Sequence, residues 1–387
     1  MGFLRSIISG GPAGAPFITD ASGTYSRAEI LAAADAFSSS LPPSAACAAV
    51  PPENFASALA KLVACSDAGI PAILSDEPQA VPPSKDLAIF TSGTTGRPKR
   101  VEYSWSEIFS GRSRSASLEG GVWFSAYSPF LYAGLGVFAQ AAAARGSLIC
   151  AGQMESASAA GALEASTGAS VCATPSWMRT LISFRDCSRM RPARITLGGE
   201  PARQPLLDAL KRTFPGAKIS HIYATSELGE CFRVGDGLEG VPLPLRPARP
   251  GVEFSADSGT LRARLESGAE IDTGDIVEIS GGRMIFCGRT SETINVGGRK
   301  VSPAKIEAAL EGVEGVLDLL ARPEASSAAG EIPALDVVCA PGREAEVEAR
   351  IRAEAAKVLD KFHRPRIISF VKKIEISKAG KKARRKA

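Results

Sequence analysis

Between Leu87 and Ala224, short apolar runs keep alternating with stretches of helical periodicity, and this alternation restricts the fold more than any other feature of the chain. LAIF (87–90), SLICA (147–151), SVCAT (170–174), RITLGG (194–199) and KISHIYA (218–224) have strand length. A stretch near 131–144 and the segment PLLDALKRTF have helical spacing. Parallel strands need a crossover between them, so the pattern predicts an α/β fold with mostly parallel sheets. Residues 17–41 read as a short strand, a turn at Ser22 and Gly23, and a helix in SRAEILAAADAFSSSL, with Ser26 as cap and Glu29 placed to complete a capping box.

Near residue 250 the character changes. TLRARL, DIVEIS and RMIFCG alternate apolar with polar residues between Gly, Asp and Ser, which predicts antiparallel β structure over 251–289. The last hundred or so residues read as a small α+β unit. Ser302 and Pro303 supply a cap and a first-turn proline for the helix AKIEAAL; Val347, Ile351, Ala355 and Val358 share one face of a second helix; SFVKKIEI is expected as a closing strand. A chain of 387 residues has room for two or three domains, and no internal repeat is present.

Composition narrows the function classes. Apolar residues make up 45% and charged residues 22%, ordinary for a globular protein. Eight cysteines without a CxxC pair and only two histidines argue against a zinc cluster or a disulfide framework. MGFLRSIISGG is too short and too soon polar for a secretory signal, and no apolar stretch approaches the ~20 residues of a membrane span. The expectation is a reduced, cytoplasmic protein with no membrane insertion. Much of the formal charge of +4 comes from the tail KAGKKARRKA, which reads either as a solvated terminus or as a partner for a phosphate or an acidic surface.

The segment FTSGTTGRPKRV (90–101) directly follows a predicted strand. Glycines permit close backbone approach, while hydroxyls and a lysine add donors, a combination suited to phosphate. It is not a P-loop: TTG, Arg97, Pro98 and Lys99 follow Gly93, where that motif needs four residues and then Gly-Lys-Ser/Thr. Pro98 also biases Arg97 away from helix. Taken alone, the segment also reads as a glycine-rich surface turn.

Further segments remove that alternative. TSGTTGRPK resembles the signature loop of the adenylate-forming superfamily, which includes acyl-CoA synthetases, peptide-synthetase adenylation domains and luciferases. TYSRAEI (24–30), ITLGGEP (195–201), YATSE (223–227), DTGD (272–275), GRTSETINVGGRKVSP (288–303) and KAGKKARR (378–385) resemble its other motifs, in the expected order. The resemblance implies that ATP and a carboxylic acid form an acyl-adenylate with release of pyrophosphate, and that a thiol, coenzyme A or the phosphopantetheine of an acyl carrier protein, then takes the acyl group. It implies a large N-terminal domain (1–288), containing the mostly parallel sheets and a β-rich part, and a small mobile α+β domain (289–387) that turns about a hinge at 289–291.

By the same resemblance, Thr91, Ser92, Gly93, Thr94, Thr95, Gly96 and Lys99 would hold the β and γ phosphates of ATP. Glu227 would bind Mg²⁺, which accepts one or two carboxylates along with waters and phosphate oxygens. Ser226 would reach the α-phosphate, with Thr225 beside it on the nucleotide side. Gly199, Glu200 and Pro201 would flank one face of the adenine and Tyr223 the other. Asp275 would accept from the ribose hydroxyls, and Arg289 would contact the same region. Lys381 would bridge the substrate carboxylate and the α-phosphate, while Gly298 and Arg299 would enter for the thiol step.

The chain also departs from the family pattern. It is short for a member, Ser291 stands at a hinge position that commonly holds Asp or Lys, and Ala224 replaces a glycine. His221 occupies a place where Asn or Asp often bonds the adenine. SPFLYAGLG (128–136) lacks the histidine of the corresponding family segment, and Tyr132 is the nearest candidate for its place. No acidic residue lies between Glu119 and Glu155. An amino-acid substrate would bury an unpaired ammonium there, so an aryl or fatty acid is favoured, with Phe130, Tyr132, Gly134 and Trp177 as pocket candidates or plain core residues. Transfer to an amine or hydroxyl, and a non-catalytic nucleotide- or acyl-adenylate-binding partner subunit, are the other readings. A nucleic-acid role resting on the tail alone is disfavoured, because the tail's cations lie within the family motif.

Overall fold

The computed structural model describes residues 1–42, 45–76, 81–91, 99–111, 118–248, 250–256, 258–377 and 380–384. They form two compact units. The first comprises Met1–Thr174, Cys187–Thr196 and Gly216–Lys218; the second comprises Pro175–Asp186, Leu197–Pro215 and Ile219–Ala387.

In the first unit, Ala48–Val50, Ala72–Leu74 and Leu87–Thr91 pair in parallel, and Leu87–Thr91 then turns back antiparallel onto Lys99–Tyr103. The loop within that hairpin lies outside the described residues. A second set of strands runs parallel, Ser170–Ala173 beside Val122–Ser125, Ser147–Ile149 and Pro16–Asp20, edged by the antiparallel strand Gly23–Ser26. The helix Arg27–Ser38 starts as its sequence requires: the Glu29 N–H donates to Ser26 Oγ at 3.2 Å and the Ser26 N–H to Glu29 Oε2 at 2.7 Å. Phe55–Ala68 and Tyr132–Ala143 are apolar around most of their circumference and are buried accordingly in the unit's core.

In the second unit, Val241–Pro242, Arg283–Arg289, Glu270–Ser280, Thr260–Leu265 and Val252–Ser255 form an antiparallel sheet in that order, matching the alternation of the sequence. A further sheet pairs Val316–Ser326 with Gly330–Cys339, which also takes Ile367–Phe370 in parallel and touches the hairpin Ile294–Val296/Arg299–Val301. The helices Pro303–Leu310 and Glu344–Val358 close its core. Ser302 Oγ accepts the Lys305 N–H and donates to the Cys287 carbonyl, so one cap residue joins the helix start to the end of strand Arg283–Arg289.

Two expectations need correction. Val347, Ile351 and Ala355 are buried, but Val358 is 48% exposed, because the buried face continues four residues after Ala355, at Leu359, and Val358 lies off it. The closing strand is Ile367–Phe370, and it stops before most of SFVKKIEI; after Phe370 the chain leaves the sheet, and Ile374 packs with Leu320 and Val338. Among the described residues no helix is long and apolar enough to cross a membrane.

Candidate active site

The segment YATSE is the end of one strand and the turn that follows it. Lys218–Thr225 pairs antiparallel with Gly229–Val234, and Thr225 stands opposite Gly229. Ser226, Glu227 and Leu228 make the turn, and Gly229 closes it with φ +72°, a conformation that favours glycine. Leu228 is buried, and its N–H donates to Thr225 Oγ1 at 3.0 Å. Thr225 thus closes the turn, while Glu227 is carried at its exposed tip.

Further along the chain, Asp275 on the strand Glu270–Ser280 is 7% exposed and has two kinds of donor. The Tyr223 hydroxyl donates to Oδ2 at 2.6 Å, and Arg289 donates from Nε to Oδ1 at 2.8 Å with a longer Nη2 contact to Oδ2 at 3.4 Å. Asp275 and Arg289 are register partners on neighbouring strands, so the ladder itself brings them together. Tyr223 is held in an aromatic stack, 4.7 Å from Phe286 and 6.1 Å from Phe232 between ring centroids. Burial, with the Asp275 charge behind it, pushes the Tyr223 phenol far above its usual range and keeps it a neutral donor. Each carboxylate oxygen has two acceptor positions, so Oδ1 of Asp275 retains capacity for a ligand hydroxyl.

Lys381 belongs to the same neighbourhood. Loss of water around its ammonium lowers its pKa below the ordinary lysine value, and the Arg289 charge adds to this; Glu200, Glu292 and Asp275 act in the opposite sense. The residue retains exposed surface, which leaves it open to an anionic ligand. Glu200 is committed to backbone: Oε2 accepts the Ser176 N–H at 3.0 Å and Oε1 the Lys382 N–H at 3.1 Å. Beside it, Gly199 has φ +85° and Pro201 is exposed.

Other expected residues are placed differently. Gly298 lies with Gly297 in the two-residue turn before Arg299, both at positive φ, and the Arg299 guanidinium covers the Phe362 ring at 4.5 Å. His221 donates from Nε2 to the Leu238 carbonyl at 2.9 Å, and burial lowers its pKa, so this nitrogen is taken up within the protein. In the first unit, Lys99 opens its strand opposite Thr91; Ser92, Gly93, Thr94, Thr95 and Gly96 lie outside the described residues. Phe130 meets Phe55 edge-on and Tyr132 stacks on Tyr103 at 5.1 Å. A Cβ on Gly134 would fall 2.1 Å from the Ser128 carbonyl oxygen, so close packing requires that glycine.

The model of the AMP-binding enzyme family matches residues 17–252, more than half of the chain. The chain belongs to the AMP-binding enzyme family. As a member of that family it is similar to a 4-coumarate–CoA ligase-like protein of Oryza sativa, 26% identical over 203 residues, which are 49% of this chain and 37% of that relative. It is also similar to a probable 2-succinylbenzoate–CoA ligase of Mycobacterium tuberculosis, 26% identical over 331 residues, covering 74% of this chain and 79% of the relative. The match thus spans well under half of the rice protein and most of the mycobacterial one. Among solved structures, the anthranilate CoA ligase AuaEII in complex with anthranoyl-AMP superposes with a TM-score of 0.75 at 13% identity, over 98% of this chain and 95% of that one. At that identity the likeness establishes the fold, an α/β fold with mixed sheets.

Sequence reasoning missed what holds the tail. Lys382 donates to Asp318, which is 6% exposed, and Arg384 pairs with Glu292 and Glu307. The solvated-terminus reading therefore fails for these two residues. An acid within the run VLDLLA, Asp318, was the available signal, but the sequence does not say which cation meets it.

Proposed function

We propose that this AMP-binding family member activates a carboxylic acid as an acyl-adenylate and passes the acyl group to a thiol, coenzyme A or a carrier-protein phosphopantetheine. The observation that carries the reading is the hydrogen-bonded grouping of Tyr223, Asp275 and Arg289, with the Lys381 ammonium near enough for the Arg289 and Asp275 charges to act on it. Asp275, fixed by Tyr223 and Arg289, accepts from the ribose. Lys381 neutralises the substrate carboxylate and the α-phosphate together, which lets two anions approach. A carboxylate oxygen forms a bond to the α-phosphorus as the bond to the pyrophosphate oxygen breaks. Thr91 to Gly96 and Lys99 take the departing pyrophosphate, Ser226 the α-phosphate, and Gly199, Pro201 and Tyr223 the base.

Glu227 fits a Mg²⁺ ligand, a single exposed carboxylate leaving the remaining positions to water and phosphate oxygens. Bound there, the ion would offset charge on the triphosphate. Residues 1–288 then constitute the adenylation domain and 289–387 the mobile one, with the hinge at 289–291, where strand Arg283–Arg289 gives way to the short turn Thr290–Glu292. Gly298 and Arg299 serve the thiol step. Aryl or fatty acids are favoured, since relatives are named for 4-coumarate, 2-succinylbenzoate and a fatty acid and since no acid between Glu119 and Glu155 would pair an ammonium.

Pyrophosphate release is the test, measured with benzoate, 4-coumarate, octanoate and succinate, each with and without coenzyme A or carrier protein. Acid-dependent release that rises with a thiol acceptor is expected. No release with any acid would overturn the proposal.

A further inference from the structure

The tail run KKARR (381–385) offers a cation at four of five positions, so charge alone does not choose which one faces the nucleotide side. The contacts of the tail do choose. Lys382 donates its ammonium to Asp318 Oδ1 at 2.6 Å and to the Leu319 carbonyl at 2.7 Å. Two residues on, Arg384 donates from Nε to the Ala321 carbonyl at 3.3 Å and from Nη2 to both oxygens of Glu307 at 2.9 and 2.8 Å. Leu319 and Ala321 are alternate residues of strand Val316–Ser326, the same spacing as Lys382 and Arg384.

The acceptor side is built to hold its cation. Asp318 Oδ1 also takes the Leu319 N–H at 2.9 Å, and Arg179 stands 3.9 Å away, itself paired with Glu311 at 2.7 Å. The side chains of Lys382, Arg179, Asp318 and Glu311 are all at most 13% exposed, and their formal charges cancel. The backbone is fixed as well: Lys382 bridges Ile376, its N–H donates to Glu200 Oε1, and the Lys381 carbonyl accepts the Ser377 N–H at 2.7 Å.

In extended chain, neighbouring side chains point to opposite sides, and a slip of one residue exchanges them. With Lys382 and Arg384 tied to the strand, Lys381 is left out of that contact, and the charges that act on it are those of Arg289, Glu200, Glu292 and Asp275. We infer that Lys382 and Arg384, seated on Asp318 and Glu307, form a register lock whose role is to present Lys381, and not its neighbour, to the reacting groups. They are positioning residues, and the consequence for chemistry rests on the adenylation reading above.

The test uses the full chain with Lys382→Gln, Asp318→Asn and the charge-retaining Lys382→Arg. Three quantities are compared with the wild type: ATP–pyrophosphate exchange with whichever of 4-coumarate, benzoate and octanoate it activates, thioester formation from the pre-formed adenylate of that acid, and amide hydrogen exchange over 375–384. Lys382→Gln and Asp318→Asn are expected to lower kcat for exchange by about 100-fold, the cost of displacing a reacting group by about an ångström. KM for ATP and the thioester step should change little, and Lys382→Arg should recover most of the loss. Unchanged exchange, or an equal fall in both half-reactions, would overturn the lock. If the wild type activates no acid, the adenylation reading fails separately, and hydrogen exchange decides. Faster exchange over 375–384 in both charge-removing variants, with 316–326 unchanged, supports the lock, and unaltered exchange overturns it.

Discussion

Asp275 and Asp318 are equally buried, and each holds a cation, Arg289 at 2.8 Å and Lys382 at 2.6 Å. They are assembled in different ways. Asp275 meets Arg289 because the two are register partners on adjacent strands, so forming the hairpin forms the pair. Asp318 meets Lys382 across 64 residues of chain, and only docking of the tail brings them together. The first pair forms with the hairpin, whereas the second depends on docking of the tail.

Removing each carboxylate tests this difference most strongly. Asp275→Ala leaves Arg289 and the Tyr223 hydroxyl without their shared acceptor, and is expected to cost ~3 kcal/mol in native-state hydrogen exchange over 275–289. Tyr223→Phe removes one hydrogen bond to a charged group and should cost about 2 kcal/mol in the same measurement. Asp318→Ala should cost only about 1 kcal/mol globally, because Lys382 can swing into water with the tail and Arg179 keeps Glu311. Equal losses for the two aspartates would remove the distinction between the hairpin pair and the docked one.

A smaller effect concerns pH. On the proposed adenylation the ammonium form of Lys381 is the working form, and its pKa lies below the ordinary 10.5 through loss of water and the Arg289 charge. Activity should therefore be full at lower pH and fall as pH rises through that lowered value. In Lys381→Arg, any residual exchange should show no such alkaline limb, since guanidinium stays protonated. An unchanged limb would assign it to another group.

How much of this was legible in the sequence follows the same division. The motifs that contain Asp275 and Arg289 fall on neighbouring strands, so the ladder brings those two together, while Tyr223 reaches Asp275 through a tertiary contact. The strand–helix alternation likewise gave the parallel strands of the first unit, and the period-two pattern over 251–289 gave the antiparallel sheet. Lys382, Arg384, Asp318 and Arg179 were not legible, because linear charge carries no information about which distant residues meet. Glu200 was legible as part of a glycine turn, but its role in tying Ser176 and Lys382 depends on tertiary contact. Gly134 was read as either a pocket or a core residue, and its close contact with Ser128 accounts for the glycine.

The central claim is that the group around Asp275 and Lys381 performs adenylation. The most direct measurement is ATP–pyrophosphate exchange in the wild type and Lys381→Ala, with ATP binding to both followed by calorimetry. The account predicts acid-dependent exchange in the wild type and, in the variant, exchange lost by at least ~100-fold while ATP still binds. Equal exchange in the two proteins would contradict it.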